Sequence, residues 1–302
     1  MLQEIKQYLY NRDFGHAFGK EELLEAYAVR WSPSRALGYV GIFREVFDLM
    51  DEEAPIEDDA KGIEALERGE SAPTEGKIRT VVCLGGGAGA EAVALAGLMK
   101  FQENTNQLRV QAIDSAPWAS ALGALYTACT TAPPLSAYAS ASARAANSAL
   151  VSPESFAMNF HQLDILSEES EQELGGLITK ADVITLMFTL NELYNSSLSS
   201  TQRLLQLLTE KTKKGTILVV VDSPGSYAAL GVGKEGSKTT YPMQFLLDFG
   251  LLGKDGKGGS DEEGKWEKLV TEESKWFRLP EGLKYPIELE NMRFQMHVYR
   301  RS

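Results

Sequence analysis

From residue 78 onward the chain predicts an α/β fold built on a parallel sheet, and three observations predict it. The run VVCLGGGAGAEAVAL, residues 81–95, is an apolar strand that breaks into glycines and resumes at helical spacing. Short apolar runs and amphipathic segments then alternate as far as residue 251, the texture of strand–helix repeats. The last two strand-like stretches, SKWFRLP and ENMRFQMHVYRR, have no crossover helix between them, so they must be antiparallel neighbours.

Ahead of the sheet, the first fifty residues read as helices, with Leu23, Leu24 and Tyr27, then Leu37, Val40, Ile42, Phe43, Val46 and Phe47, recurring every three to four positions. WSPSR at 31–35 is expected to interrupt them, with Ser32 or Ser34 capping a second helix and Pro33 near its start. Residues 51–76 are acidic and rich in Pro, Gly and Glu, a linker or weak helix. The chain therefore divides into a helical extension with its linker, 1–76, and a sheet domain, 77–302. Strands are expected near 79–84, 108–113, 157–162, 182–188 and 215–221, with helices near 89–101, 117–128, 196–211 and 241–251. Residues 129–152 exceed an ordinary connection and form a loop or a short extra helix, while 253–265 hold too few apolar residues to pack.

Composition is that of an ordinary soluble chain, 43% hydrophobic and 24% charged over 302 residues. The N-terminus lacks the apolar stretch of a secretory signal, and no run approaches the roughly 20 residues that span a bilayer, so an intracellular protein is expected. Cys83 and Cys129 read as buried or idle thiols. The net charge of −12 argues at first sight against nucleic acid. Its distribution softens that: nine acids and two bases at 51–70, with four acids at 167–173, hold eleven of the twelve charges. The remaining surface is nearly neutral and has room for a basic patch at Arg30, Arg35 and Arg44, or at Arg278, Arg293, Arg300 and Arg301.

The glycines admit two cofactors. Gly85, Gly87 and Ala90 fit the dinucleotide turn, and Gly85, Gly87 and Gly89 fit the G-x-G-x-G turn of S-adenosylmethionine enzymes. A side chain at Gly85 or Gly87 is expected to block a ligand's approach to the backbone. Asp114 ends the second strand, where an acid commonly bonds both ribose hydroxyls of either cofactor. Asp164 follows the third strand, beside an adenine or as a helix cap. MFTLNELY places Asn191 and Glu192 at the sheet's carboxyl edge, where open α/β folds bind ligands, and Asp222 brings a second carboxylate there, as a base or as a turn cap. In YAVRWSPSRALGY, Arg30, Trp31 and Arg35 suggest a lid that stacks a base and meets phosphate, or else simple helix docking.

Together LGGGAGAE, IDSAPW, MFTLNELY, VVVDSPGS, YPMQFLLD and NMRFQMHVYRR, with YAVRWSPSRALGY upstream, resemble the fungal 25S ribosomal RNA uridine-N3 methyltransferases over nearly the whole chain. The resemblance implies a Rossmann-like, seven-stranded class I fold, S-adenosylmethionine as cofactor, and methylation of a uridine in large-subunit rRNA. Gly85, Gly87 and Gly89 would then hold the methionine moiety, Asp114 the ribose and Asp164 the adenine side. Phe188 to Glu192 would face the target base, Phe188 also meeting the cofactor. Glu192 or Asp222 would accept the N3 proton, and Trp31 or Tyr194 would supply an aromatic platform. The expected partner is ribosomal RNA or a pre-ribosome in the nucleus, nucleolus or cytoplasm, met by a monomer without membrane or metal. A small-molecule or protein methyltransferase with the same cofactor half is the alternative, and the acidity favours it.

Overall fold

The computed structural model describes residues 1–52, 77–100, 107–225, 227–230, 239–253 and 265–302. Most of the acidic linker and of the 253–265 loop lies outside the described residues.

The parallel part of the sheet is built from β1 (Ile78–Leu84), β2 (Gln107–Asp114), β3 (Phe156–Gln162), β4 (Val183–Met187) and β5 (Ile217–Asp222). Every residue of β4 and β5 is buried, so their sequences are continuous apolar runs, the pattern of strands covered on both faces. Two long strands close the chain, β8 (Trp266–Phe277) and β9 (Met292–Arg301), and the sheet order is β3-β2-β1-β4-β5-β9-β8. β9 runs antiparallel between β5 and β8, as the missing crossover helix requires. A second hairpin, β6 (Tyr227–Leu230) with β7 (Thr239–Pro242), was not expected from the sequence, because four-residue strands carry too little periodicity to read.

The covering helices are α4 (Ala90–Leu98), α5 (Ala119–Thr130), α6 (Ala141–Ala146), α7 (Glu171–Ile178), α8 (Leu190–Ser196), α9 (Leu198–Lys211) and α10 (Met243–Leu252). The short α6 is the only helix that the described 129–152 insertion forms. Before them come α1 (Leu2–Tyr10), α2 (Phe14–Ala17) and α3 (Glu21–Glu52).

The expected break at WSPSR is absent: α3 runs through Pro33 without interruption, and neither Ser32 nor Ser34 is a cap. Tertiary bonds explain it. Proline withholds the N–H that would bond the carbonyl of Val29, and the Tyr285 hydroxyl donates to that carbonyl instead, at 3.0 Å. Ser32 donates to the Ala88 carbonyl at 2.7 Å, and Ser34 accepts from the Glu290 backbone N–H at 3.3 Å, so both serines fasten the helix to the sheet domain. Tyr39, Phe43 and Phe47 of α3 are buried in one core with Val81, Leu95 and Val219. The N-terminal extension is thus packed into the same hydrophobic core as the sheet. Cys83 and Cys129 are buried free thiols, and burial raises the pKa of both. Among the described residues no helix is long and apolar enough to cross a membrane.

Candidate active site

The glycine turn connects β1 to α4. Gly85 and Gly86 donate their N–H groups to the Ile113 carbonyl at 2.8 and 3.2 Å, which ties the turn to β2. Gly87 donates to Oδ2 of Asp114 at 3.1 Å, while Ala116 donates to Oδ1 at 3.0 Å. Gly89 takes a left-handed φ of 74° as the N-cap of α4. A β-carbon at Gly85 would run into Thr189, at Gly87 into the Trp118 indole and at Gly89 into Leu125. Side chains of the protein itself occupy the space around these glycines, and Gly85 and Gly89 also take left-handed φ of 78° and 74°, so close packing and backbone conformation both ask for glycine, with Gly85 at the cleft.

Beside the turn, at the carboxyl edge of the sheet, lies a cleft of about 500 Å³. From the sheet domain it is lined by Gly85, Asp114, Trp118, Asp164, Phe188, Asn191, Glu192 and Asp222, and from the N-terminal helices by Phe14, Phe18, Tyr27 and Arg35. Phe18, Tyr27 and Trp118 form an aromatic cluster with ring centroids 5.2 to 5.9 Å apart. Arg35 donates to the Tyr27 hydroxyl at 2.8 Å and sets its guanidinium 4.9 Å from the centre of the Phe188 ring. Phe188 itself has φ of 58°, a strained left-handed conformation at the end of β4.

Five carboxylates line the cleft, against one arginine. Glu192 is open to the cleft, and desolvation by the cleft walls, then the Asp222 charge, raises its pKa to about 7 despite the opposing charge of Arg35. Glu91 is buried beneath, in reach of the Thr185 hydroxyl at 3.4 Å, and burial likewise raises its pKa to about 7. Burial also raises Asp114, against the backbone N–H groups of Ala116 and Gly87 that favour its ionised form. Asp222 is buried and accepts from the backbone N–H groups of Asn191 at 3.0 Å and Ser223 at 2.8 Å. It thereby satisfies an orphan donor in the first turn of α8, the capping role.

The structure brings together Gly85, Asp114, Asp164, Phe188, Asn191, Glu192, Asp222 and Arg35. Gly87 and Gly89 stand just behind, screened by Trp118 and Leu125. Three candidates are elsewhere. Arg30 is buried in an ion pair with Glu290, which leaves it no phosphate to meet. Trp31 packs on Tyr27 at 4.7 Å without lining the cleft. Tyr194 is buried under the sheet with Ile184 and Leu205, its hydroxyl accepting from Gln202 at 3.1 Å, because α8 turns that side inward. The family model described as "Putative SAM-dependent methyltransferase" matches residues 1–300. The chain belongs to this family.

A curated relative of this methyltransferase is the 25S rRNA (uridine(2843)-N(3))-methyltransferase of Saccharomyces cerevisiae, 31% identical over 99% of this chain and 76% of its own. Solved structures that it is similar to include a SAM-dependent methyltransferase of Methanosarcina mazei, at 11% identity over 74% of this chain and 92% of that one, with a TM-score of 0.40. Another is from Clostridium acetobutylicum, at 9% identity over 86% and 99% of the two chains, with a TM-score of 0.37. The sheet order above, rather than these scores, carries the fold.

The methyltransferase's residues fit S-adenosylmethionine. The indole of Trp118, 2% exposed, lines the cleft beside Gly87, and its Nε1 is buried without an ideal hydrogen bond but close enough to Asp114 to favour that carboxylate's ionised form. Backbone N–H groups, those of Gly87 and Ala116 among them, fix the Asp114 carboxylate at the cleft, where it lines the wall beside the glycine turn. The acidic lining suits a sulfonium cation. Sequence reasoning missed Trp118, Glu91 and the Phe14–Phe18–Tyr27 side of the cleft. Trp118 sits four residues past Asp114 and was legible by position, whereas nothing local marks Phe14 or Phe18, which reach the cleft through the path of the N-terminal helices.

Proposed function

We propose that this methyltransferase, as a monomer, methylates N3 of a uridine in large-subunit ribosomal RNA, within the nucleus, nucleolus or cytoplasm where it meets the rRNA or a pre-ribosome. The yeast relative supports the substrate class. The single observation that carries the chemistry is Glu192, a carboxyl group open to the cleft whose pKa is raised to about 7.

S-adenosylmethionine supplies, when bound, an electrophilic methyl group. Gly85, Asp114, Asp164 and Trp118 at the cleft would hold it, with Asp114 toward its ribose. Uridine N3 carries a proton at neutral pH and must give it up to become a nucleophile. Glu192 accepts that proton, its pKa lying close to the working pH. Asp222 has both oxygens occupied by backbone donors, so it positions Asn191 and Glu192 at the start of α8. Arg35, held on Phe188 and Tyr27, orders the wall that the base slides against. The bound geometry supplies most of the acceleration, because methyl transfer needs chiefly an in-line approach. N3 is paired in duplex RNA, so the base enters the cleft unpaired.

The test is nucleoside mass spectrometry of rRNA from cells lacking the protein, followed by restoration with the purified chain. Loss and recovery of one 3-methyluridine is the expected result; unchanged rRNA refutes the reading and favours the small-molecule alternative, which the acidic, aromatic-walled cleft would suit.

A further inference from the structure

Of the basic groups that the sequence offers outside the cleft, most are occupied. Arg30 pairs with Glu290, Arg300 faces Glu267 at 3.8 Å, and Arg301 donates to the carbonyls of Thr209 and Lys265. Arg278 and Arg293 differ. Both are exposed, and among the described residues neither is paired with a carboxylate; Arg293 makes only a hydrogen bond to the Ser274 hydroxyl at 2.9 Å. Both gather at Trp276, their guanidinium carbons 4.9 and 5.7 Å from its ring centre.

Trp276 is 51% exposed, although its neighbour Phe277 packs into the core against Gly38 of α3. Half of a large ring is thus presented to water, edged by two guanidiniums. Its place is informative. Trp276 and Arg293 are cross-strand partners at the end of the β8–β9 hairpin where the 278–291 connection joins the two strands. Two residues along β9, about 7 Å of strand, Gln295 donates to the carbonyl of Ser223 at 2.8 Å, and Ser223 lines the cleft beside Asp222. The tryptophan and its two arginines therefore stand at the same carboxyl edge of the sheet as the cleft, Arg293 on the strand next to β5 and Trp276 on the strand beyond it.

We propose that Trp276, Arg278 and Arg293 form a second RNA contact, stacking one unpaired base next to the target nucleotide while the guanidiniums meet its flanking phosphates. The chemistry is that of single-strand recognition, an aromatic face for a base and fixed cations for the backbone. It resolves the difficulty of the −12 charge, since two unpaired arginines next to the cleft give RNA a local positive footing that the whole surface lacks. The inference rests on the RNA reading above and extends it to the flanking nucleotides.

The experiment measures binding of a labelled single-stranded twelve-nucleotide oligouridylate to the full chain, to W276A and to the double variant R278Q/R293Q, across a salt series. Adenosylhomocysteine calorimetry on each variant checks that the fold and the cleft are intact. The expected result is roughly tenfold weaker RNA binding for W276A, the loss of one stacked base. In R278Q/R293Q the log–log salt slope should fall by about 1.4, two phosphates' worth for a single strand. Adenosylhomocysteine affinity should be unchanged in both. RNA affinity equal to wild type in both variants, or no oligouridylate binding by the wild type, overturns the proposal. Nucleoside analysis separates it from the reading beneath: a wild type that makes 3-methyluridine while the variants bind RNA normally defeats the platform alone, and one that binds RNA through Trp276 yet makes none defeats the assigned reaction alone.

Discussion

Tyr285 donates its hydroxyl to the carbonyl of Val29 at 3.0 Å, the acceptor that Pro33 leaves without a helical partner. A proline inside a helix costs about 3 kcal/mol when nothing compensates. Here a loop residue 256 positions away takes over the missing bond. Tyr285→Phe should therefore lower stability by about 1 kcal/mol in urea unfolding. In a Pro33→Ala background, where a backbone N–H again serves Val29, the same change should cost clearly less. Equal costs in both backgrounds would show that the hydroxyl does not stand in for the proline's missing donor.

A methyl group at Gly87 meets the Trp118 indole, so Gly87→Ala must displace the ring that lines the cleft and flanks Asp114. Adenosylhomocysteine affinity should drop by at least tenfold. Trp118→Phe, which keeps most of the packing and removes the indole N–H beside Asp114, should lose several-fold affinity with little change in melting temperature. A Gly87→Ala chain that binds as tightly as wild type would contradict the packing argument.

Much of this was legible in the sequence, for identifiable reasons. β4 and β5 are buried on both faces, and such strands announce themselves as unbroken apolar runs; Asp114 and Glu192 follow from strand ends, where backbone direction alone fixes the edge. What failed were inferences that needed a distant partner. The local rule at WSPSR pointed to a cap, and only Tyr285, Ala88 and Glu290, all remote in sequence, let the helix continue. Arg30 and Arg35 look alike in the sequence, yet Glu290 claims one and the Phe188 ring the other. Tyr194 sits two residues from Glu192, and α8 turns the two in different directions, one into the core and one into the cleft.

Glu91 yields a prediction about stability and pH. Its folded pKa, raised by burial from the ordinary 4.5 to about 7, means that the native state holds a proton which the unfolded chain has already released between those values. Stability therefore falls as pH rises through that window, by up to about 3 kcal/mol, and no such penalty exists below pH 4.5. Glu91→Gln should be more stable than wild type at pH 8 and nearly equal to it at pH 4.5, by urea denaturation. A variant that is equally destabilised at both pH values would mean that the side chain contributes packing or hydrogen bonding alone.

If Glu192 accepts the N3 proton, it must be ionised to act, so the single-turnover methylation rate should rise about tenfold per pH unit below 7 and level off above it. Glu192→Gln should remove that limb and lower the plateau by roughly 10²- to 10⁴-fold, with adenosylhomocysteine affinity retained. Asp222 contributes differently. Its negative charge is part of what holds the Glu192 pKa up, so Asp222→Asn should move the limb to lower pH, while the remaining amide oxygen still accepts from the start of α8 and limits the loss of rate. The two variants thus part company: one abolishes the pH limb and the other displaces it. A wild-type profile that is flat from pH 5 to 8, or an Asp222→Asn limb displaced upward, would remove Glu192 from the role of base and leave it as a wall of the cleft.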